Sequence, residues 1–276
     1  MNVIGLGSAG CAIADALGEY PQYEIYKIDN GLKGKRCFDF PLYDHPEEYE
    51  ASQPDMRGFF EGVQGEVIFV VSGAAKISGA SLVILEHIRH CKITVLYLKP
   101  RLDTLEDVRV KMHNACFGVL QEYARSAVFE RFVAIDNDVV EAALGAVPII
   151  GYYEKLNELI VWVFHMLNVL RNSEPIMGKI GDTKKTCRIS TIGTVDFESG
   201  EEKVLFSLDK AREKGYFYLL REKDLTASGN LLKKITKQVK DLETEGARSS
   251  YAIYSSDYDQ NYVFCMIHTP HIQGGN

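Results

Sequence analysis

The sequence predicts an α/β fold with three parts: a Rossmann-like nucleotide-binding domain with a parallel sheet at residues 1–152, a central buried linking helix at 153–172, and a smaller α+β second domain at 173–276. Two observations lead to this prediction. Strand-like and helix-like segments alternate through the first domain, which is typical of a parallel sheet covered by helices on both faces. The segment that follows is apolar on almost every helical face, and a helix of that kind is buried on most sides.

Short apolar runs bounded by turn residues predict the strands of the first domain, at 2–6, 23–28, 66–72, 92–98 and 131–136. Segments with helical periodicity predict its helices, at 10–18, 79–90, 104–125 and 137–144. The stretch 31–65 is rich in Gly, Pro and acidic residues, so it predicts loops with a short helix.

The rest of the chain is predicted from the same signals. Residues 154–171 form the central helix, which His165 and Asn168 interrupt too much for a membrane span. The strands of the second domain are expected at 188–197, 216–221, 249–255 and 261–268. Its helices are expected from Ser199 to about Lys214 and at 228–243.

Composition and charge exclude several classes of function. The 276-residue chain has a formal net charge of −7, so we expect neither direct nucleic-acid binding nor membrane binding. The six cysteines are scattered without a C-x-x-C pair, which favours reduced thiols in a cytoplasmic protein. His87, His90 and Cys91 lie close together, but no second cluster of ligands is nearby, so they indicate a helix end rather than a metal site.

A glycine motif opens the chain, where the first strand runs into the first helix. Its G-x-G-x-x-G pattern permits a tight turn and presents helix N–H groups to a phosphate. The candidate phosphate-binding residues of this turn are Gly5, Gly7, Ser8, Ala9, Gly10 and Cys11. Asp29 follows the next strand, where a dinucleotide-binding fold places the acid that binds ribose. Taken alone, this end of the chain predicts a Rossmann-type NAD(P)-dependent oxidoreductase.

A second loop of small residues follows the strand at 66–72 and reads G-A-A-K-I-S-G. It is not a Walker A loop, and it is either an ordinary strand-to-helix turn or a second phosphate-binding loop at the same sheet edge. Two such junctions would hold one polyphosphate from two sides. The candidate residues of this loop are Gly73, Ala74, Ala75, Lys76, Ser78 and Gly79.

Later motifs favour a different nucleotide from NAD. Asn137 lies in the segment I-D-N-D, and Tyr153 and Asn157 lie in Y-x-x-L-N at the start of the central helix. The order and spacing of these motifs and the two glycine loops resemble the tubulin/FtsZ superfamily over nearly the whole chain. In that family the two Asn side chains bind guanine and the aromatic ring stacks on it. Without the resemblance, Tyr153 and Asn157 indicate a helix start with an aromatic ring packed beneath it.

The resemblance also implies a polymer. In this superfamily, subunits stack head to tail, and an N-x-D-x-x-D/E loop of one subunit completes the GTPase site of the next. The matching stretch keeps the second acid as Asp182, but Met177 replaces the Asn and Lys179 replaces the first acid. A carboxylate positions water, whereas an ammonium stabilises negative charge. Hydrolysis through Asp182, slow hydrolysis, and a non-hydrolysing scaffold with a solvated loop all stay open.

Two further residues depart from the family pattern. Lys76 replaces a Thr of the phosphate loop and either contacts phosphate or points outward. Lys111 lies roughly where tubulin has a ribose-binding Glu, and Glu106 is the alternative ribose ligand. The resemblance implies GTP or GDP as ligand, with Mg²⁺ as a second candidate. It implies copies of the same chain as partners, with an adaptor or cargo as a further candidate, and the chain's compactness favours the plasmid- or phage-type relatives.

Overall fold

The computed structural model describes residues 1–227 and 229–272. The chain divides into two compact units, Met1–Val161 and a second unit that begins at Trp162. This division falls inside the long helix predicted at 154–171.

The first unit is built on a parallel sheet. Its strands are β1 (Asn2–Leu6), β2 (Glu24–Asp29), β3 (Cys37–Asp39), β4 (Glu66–Ser72), β5 (Lys92–Lys99) and β6 (Arg131–Asp136). They lie in the order β3-β2-β1-β4-β5-β6, and each neighbouring pair is parallel. The strand order reverses direction between β1 and β4. In doubly wound folds, ligands bind at the carboxyl ends of the strands next to such a reversal.

Helices connect these strands. They are α1 (Gly7–Leu17), α2 (Pro46–Ala51), α3 (Arg57–Phe60), a 3₁₀ helix (Lys76–Ala80), α4 (Ser81–His87), α5 (Asp107–Arg125), α6 (Asn137–Leu144) and α7 (Tyr152–Arg171). The middle strands are buried almost along their whole length, which explains why they are continuous apolar runs rather than alternating ones. The predicted parallel sheet and its alternation with helices are confirmed.

The helix α7 is buried where the sequence is most apolar. Ile160, Val163 and Leu167 are among its buried residues, whereas its first turn, with Tyr153 and Glu154, is exposed. The predicted central buried helix is therefore confirmed. No helix within the described residues is long and apolar enough to cross a membrane.

The second unit is a mixed sheet with two helices. Its elements after α7 are β7 (Met177–Gly178), β8 (Ile189–Val195), β9 (Glu202–Val204), β10 (Glu213–Arg221), α8 (Glu222–Ala227), α9 (Leu231–Asp241), β11 (Arg248–Ser256) and β12 (Tyr262–Thr269). The strand order is β8-β12-β10-β11-β7, with β9 paired to β8. Only β10 and β11 pair in parallel among the pairs described for this unit. Ile235 and Val239 of α9 pack on Tyr216 and Tyr218 of β10.

One predicted element of the second unit is wrong. The helix expected from Ser199 to Lys214 is instead a turn, the strand β9, a loop and the start of β10. The Asp196 carboxylate accepts hydrogen bonds from the backbone and hydroxyl of Ser199, at 2.6 and 2.8 Å, and thereby closes a turn. Gly200 then has a φ of +80°, which ends any helical continuation.

Other boundaries shift by a few residues. The first helix begins at Gly7 rather than at residue 10, and the helix expected at 79–90 is a 3₁₀ turn followed by the shorter α4. Of the helix expected at 228–243, the structure has Leu231–Asp241, and residue 228 lies outside the described residues. Residues 273–276 of the predicted second domain also lie outside them.

Candidate functional site

The two predicted glycine loops lie side by side at the point where the strand order reverses. One follows β1 and the other follows β4, and these two strands are neighbours. Gly7 has a φ of +70°, and a Cβ added there would be 3.0 Å from a methyl carbon of Ile77 in the second loop. The structure therefore brings together the two loops that were predicted from separate stretches of the sequence.

The other glycines of the first loop allow the helix α1 to pack directly on the sheet. A Cβ on Gly5 would lie 2.5 Å from the carbonyl oxygen of Gly10, and a Cβ on Gly10 would lie 2.5 Å from that of Val70. Both contacts are with backbone, which cannot move aside as a flexible side chain can. Any larger residue at these two positions would force the backbone to shift, and the glycines bring the start of α1 to the carboxyl edge of β1 and β4.

The N-terminus of α1 is open. Its N-cap residue is Leu6, which has no side-chain acceptor, and no acidic residue lies in its first turn. The N–H groups of Gly7, Ser8 and Ala9 have no partner within the helix, because the first turn of any helix lacks them. Ser8 and Ala9 are exposed. An eleven-residue helix with such an end attracts an anion through its N–H groups and its dipole.

Cys11 serves the packing of this loop. Its thiol is buried and donates to the carbonyl oxygens of Gly5 and Ile28, at 3.5 and 3.8 Å. Burial raises the pKa of the Cys11 thiol to about 12, so it is neutral at physiological pH. Cys11 therefore holds α1 against β1 and β2 with its side chain.

Asp29 lies at the end of β2 beside the first loop. The Ser8 hydroxyl donates to one Asp29 carboxylate oxygen at 3.1 Å, and the Asn30 N–H donates to the other at 2.9 Å. Asp29 is half-exposed, and each carboxylate oxygen has the capacity to accept a second hydrogen bond. The acid is thus available to a ligand hydroxyl as well as to the loop.

The second loop is held by its own side chains. The buried Ser78 hydroxyl donates to the Gly73 carbonyl oxygen at 3.1 Å, and the Ser81 hydroxyl donates to the Ser78 carbonyl oxygen at 2.6 Å. Gly73 packs against Tyr97, and Gly79 packs against the backbone of Pro46. Ala74 is buried and Ala75 is half-buried. Ser78 therefore shapes the loop with its hydroxyl.

Lys76 points outward in this structure. Its side chain is 53% exposed, and its ammonium lies 3.9 Å from the Asp44 carboxylate, which is more exposed still. An ion pair of this kind is worth little, so it leaves the ammonium free to approach an anion.

The candidate base-binding residues lie at and after the end of β6. The buried Asp136 carboxylate accepts from the Lys99 ammonium at 2.8 Å and from the N–H of Asp138 at 3.0 Å, so it caps α6. Asn137 is the first residue of α6 and is half-exposed, as is Asn157 in α7. Neither side-chain amide has a hydrogen-bond partner within residues 1–227 and 229–272.

Tyr153 presents an open aromatic face. Its side chain is 68% exposed, and its ring stands edge-on to that of Tyr152 at 5.2 Å. The Tyr152 hydroxyl donates to Glu141 at 2.6 Å, and Arg101 donates to the same carboxylate oxygen at 2.7 Å. Burial and the Glu141 hydrogen bond raise the pKa of Tyr152, so its hydroxyl keeps its proton.

The sequence analysis missed this network of Arg101, Glu141 and Tyr152. Glu141 lies one helical turn after the predicted residue Asn137, and Tyr152 directly precedes the predicted residue Tyr153. The sequence around the predicted residues could therefore have pointed to Glu141 and Tyr152. Arg101 had no signal for this network, because Glu141 lies forty residues away in sequence.

The two candidates for a ribose ligand differ in surroundings. Glu106 is exposed at the N-terminus of α5, where its carbonyl oxygen accepts from the Arg109 N–H at 2.9 Å. Lys111 instead lines a pocket of about 440 Å³ bordered by α2, α4 and α5.

The predicted catalytic loop lies in the second unit, between β7 and β8. Asp182 and Lys179 are both exposed, and the described residues include no ion pair of either side chain. The Arg248 guanidinium donates to the backbone carbonyl oxygen of Asp182 at 3.1 Å. The Asp182 carboxylate is therefore exposed to solvent, while a hydrogen bond from Arg248 holds its backbone.

No metal centre emerges from the described ranges. Within residues 1–227 and 229–272, three or more His, Cys, Asp or Glu side chains do not come together as metal ligands.

Comparisons with known proteins gave matches in structure only. No known protein family and no curated protein matches the sequence. An FtsZ dimer from M. jannaschii matches 97% of this chain and 87% of its own, with 13% identity and a TM-score of 0.71. A GTPγS-form protofilament of TubZ from Bacillus thuringiensis serovar israelensis matches 97% of this chain and 87% of its own, with 13% identity and a TM-score of 0.73. A type III plasmid segregation TubZ matches 99% and 88%, with 14% identity and a TM-score of 0.70.

The strand order and the two adjoining loops define an α/β protein of the doubly wound class. Within that class, the structural matches show that the chain has the tubulin/FtsZ fold. The resemblance inferred from the motifs is confirmed at the level of the fold.

Proposed function

We propose that this protein binds GTP and assembles head to tail with copies of itself into filaments. The observation that carries the proposal is that the first unit contains both an uncapped helix N-terminus, at α1, and two asparagine side chains, Asn137 and Asn157, that are available to a ligand. The N-terminus of α1 and the second loop adjoin at the strand reversal. On α6 and α7 of the same unit, the side-chain amides of Asn137 and Asn157 have no hydrogen-bond partner among the described residues, and the Tyr153 ring is exposed. The TubZ neighbour with the fold is described as a GTPγS-form protofilament, which supports both parts of the proposal.

The phosphates would lie against the first loop. The free N–H groups of Gly7, Ser8 and Ala9 supply donors without a side-chain cap to compete. Lys76 would leave its weak pair with Asp44 and approach the terminal phosphate from the second loop. Any Mg²⁺ that accompanies the nucleotide would be coordinated mainly by phosphate oxygens and water, which is its usual mode of binding.

The base would lie at the other end. A side-chain amide offers both a donor and an acceptor, which the edge of guanine requires. The side-chain amides of Asn137 and Asn157 make no hydrogen bond to the residues that the structure describes, so their donors and acceptors are available to a base. The exposed Tyr153 ring supplies a stacking surface, and base–aromatic stacking is worth about 1–3 kcal/mol. Asp29 and Glu106 are the acids available to the ribose.

Exposed apolar side chains flank both halves of the proposed interface. Ile149 and Ile150, each 94% exposed, precede Tyr153 in the first unit. Ile176 and Met177 are also exposed and precede the loop of Asp182 in the second unit. Exposed apolar groups of this kind mark surfaces of association. A head-to-tail contact repeats without closing and so generates a filament.

Asp182 of one copy would then meet the terminal phosphate bound by the next. Its carboxylate would position the attacking water, while Lys179 would stabilise the negative charge of the phosphate. Because a single acid remains where the family pattern has two, we propose slow hydrolysis.

One experiment separates the candidate functions. Light scattering and phosphate release are measured for the purified chain with GTP, GDP, ATP and NAD. Scattering that requires GTP and is followed by phosphate release supports the proposal. Scattering without release, or without nucleotide, indicates a non-hydrolysing scaffold. Binding of NAD without assembly indicates an oxidoreductase and refutes the filament.

The variant Asp182→Ala tests the placement of the catalytic loop. It should retain GTP binding and slow the release of phosphate, because the acid belongs to the neighbouring site. Asp257→Ala, at an exposed turn between β11 and β12, is the matched control and should change neither. Loss of GTP binding in Asp182→Ala refutes the placement.

A further inference from the structure

The loop that carries Asp182 is fixed at its entrance by a short strand. Met177 and Gly178 form β7, which pairs with Ile253 and Ala252 of β11. Gly178 has a φ of +77°, and a Cβ there would lie 2.5 Å from the carbonyl oxygen of Tyr251. The backbone therefore enters the loop at a fixed place on the sheet.

Three hydrogen bonds hold the backbone after β7. The Gly181 N–H donates to the Ser250 hydroxyl at 3.1 Å, Arg248 donates to the Asp182 carbonyl oxygen at 3.1 Å, and the Lys184 N–H donates to Glu213 at 3.0 Å. All three partners belong to β10 or β11. The Asp182 carboxylate itself stays exposed.

Glu213 connects two of these contacts. Its side chain is 8% exposed, and its carboxylate accepts from Arg248 at 3.3 Å through one oxygen and from the Lys184 N–H through the other. A buried carboxylate is costly unless it is paired, so Glu213 retains Arg248 in this position. Arg248 in turn holds the backbone of Asp182 with the same terminal nitrogen.

We propose that Glu213 and Arg248 are positioning residues, which fix the backbone of Asp182 so that its carboxylate meets the nucleotide of the neighbouring copy. This inference rests on the proposed function. The position of Asp182 matters because Met177 and Lys179 replace the Asn and the first acid of the family pattern. Asp182 is then the remaining acid of that pattern, so its position determines the rate of GTP hydrolysis.

The test uses Arg248→Ala, Glu213→Gln and Arg248→Lys in the full chain. The control is Arg221→Ala, which removes another strand-end arginine paired to an acid, at the opposite end of β10. Hydrogen exchange at the Lys184 amide, GTP affinity and phosphate release per bound GTP are measured for each.

In Arg248→Ala and Glu213→Gln, we expect exchange at Lys184 to accelerate and phosphate release to fall, each by about tenfold or more, because bonds to charged groups are lost. GTP affinity should stay within about twofold, since the phosphate loops lie in the other unit. Arg248→Lys should restore part of the release, and Arg221→Ala should match the wild type. A merely structural loss would lower affinity and release together.

Two results overturn the inference: unchanged exchange in both variants, or accelerated exchange with unchanged release. A wild type that binds GTP and assembles without releasing phosphate refutes the role of Asp182 and this inference with it. A wild type that does not bind GTP refutes the proposed function, and the affinity measurement tells these two failures apart.

Discussion

The buried imidazole of His113 makes a prediction about pH. Its side chain, on α5, is 1% exposed, and its Nδ1 forms a hydrogen bond of 2.8 Å with the Tyr97 hydroxyl of β5. Burial, and next the charge of Lys99, lower the pKa of His113 to about 4. The pKa of an unfolded histidine is about 6.5. Below pH 6.5 the imidazole therefore binds a proton in the unfolded chain, whereas it stays neutral in the folded chain until the pH approaches 4. Stability should therefore fall as the pH drops from 6.5 towards 4.

The size of this loss follows from the shift. The folded and unfolded pKa values of His113 differ by about 2.5 units, and nearly two units of this difference take effect at pH 4.5. Each pKa unit is worth about 1.36 kcal/mol, so His113 should cost about 2.5 kcal/mol relative to pH 7. The variant His113→Asn keeps an acceptor for Tyr97 and does not titrate. Urea unfolding at both pH values should show a loss about 2.5 kcal/mol smaller in His113→Asn than in the wild type.

Other groups titrate in this range, and the variant isolates the contribution of His113 from theirs. His90→Asn, which replaces an exposed histidine, is the control. Equal losses in the wild type and His113→Asn, within about 0.5 kcal/mol, would falsify the assignment of a neutral buried imidazole.

Three further substitutions test the candidate site. Asp136→Ala leaves a largely buried ammonium unpaired and uncaps α6, so it should lower the free energy of unfolding by about 3–5 kcal/mol; Asp138→Ala, whose ion pair is exposed, should cost about 1 kcal/mol or less in the same urea titration. Gly10→Ala forces a Cβ onto a backbone carbonyl of β4 and should cost about 1–3 kcal/mol, whereas Gly58→Ala meets no atom within 4 Å and should be neutral in thermal unfolding. Tyr153→Ala should weaken GTP binding about tenfold or more in a fluorescence titration without lowering stability, and unchanged affinity would remove the ring from the base site.

The parts of the fold that the sequence predicted are those with local signals. Strands β1, β4 and β6 are covered on both faces, so they are written as unbroken apolar runs, and α7 was recognised because its apolar residues leave little polar surface. The segment after Ser199 has no comparable signal. Glu202 lies in β9, which pairs with β8, and its carboxylate accepts hydrogen bonds from Lys214 and Tyr216, twelve and fourteen residues away.

The candidate site divides in the same way. The glycine patterns located both glycine loops, because a turn that needs positive φ or close backbone approach restricts the residue type locally. They could not reveal that the hydroxyl of Ser78 bonds to Gly73 within the loop, or that the Cys11 thiol faces backbone carbonyls. Those orientations depend on how neighbouring elements pack. The contact between Arg248 and the backbone of Asp182 was equally out of reach, since sixty-six residues separate them.

Because a Cβ on Gly7 would meet the Ile77 side chain, the residue types at these two positions of the two loops restrict each other. A side chain at position 7 would be strained by the φ of +70° and would also meet the side chain of residue 77. We therefore expect position 7 to stay glycine among relatives of this chain, and residue 77 to be no bulkier than isoleucine. An engineer who transplants the first loop into another protein of this fold would have to carry residue 77 with it.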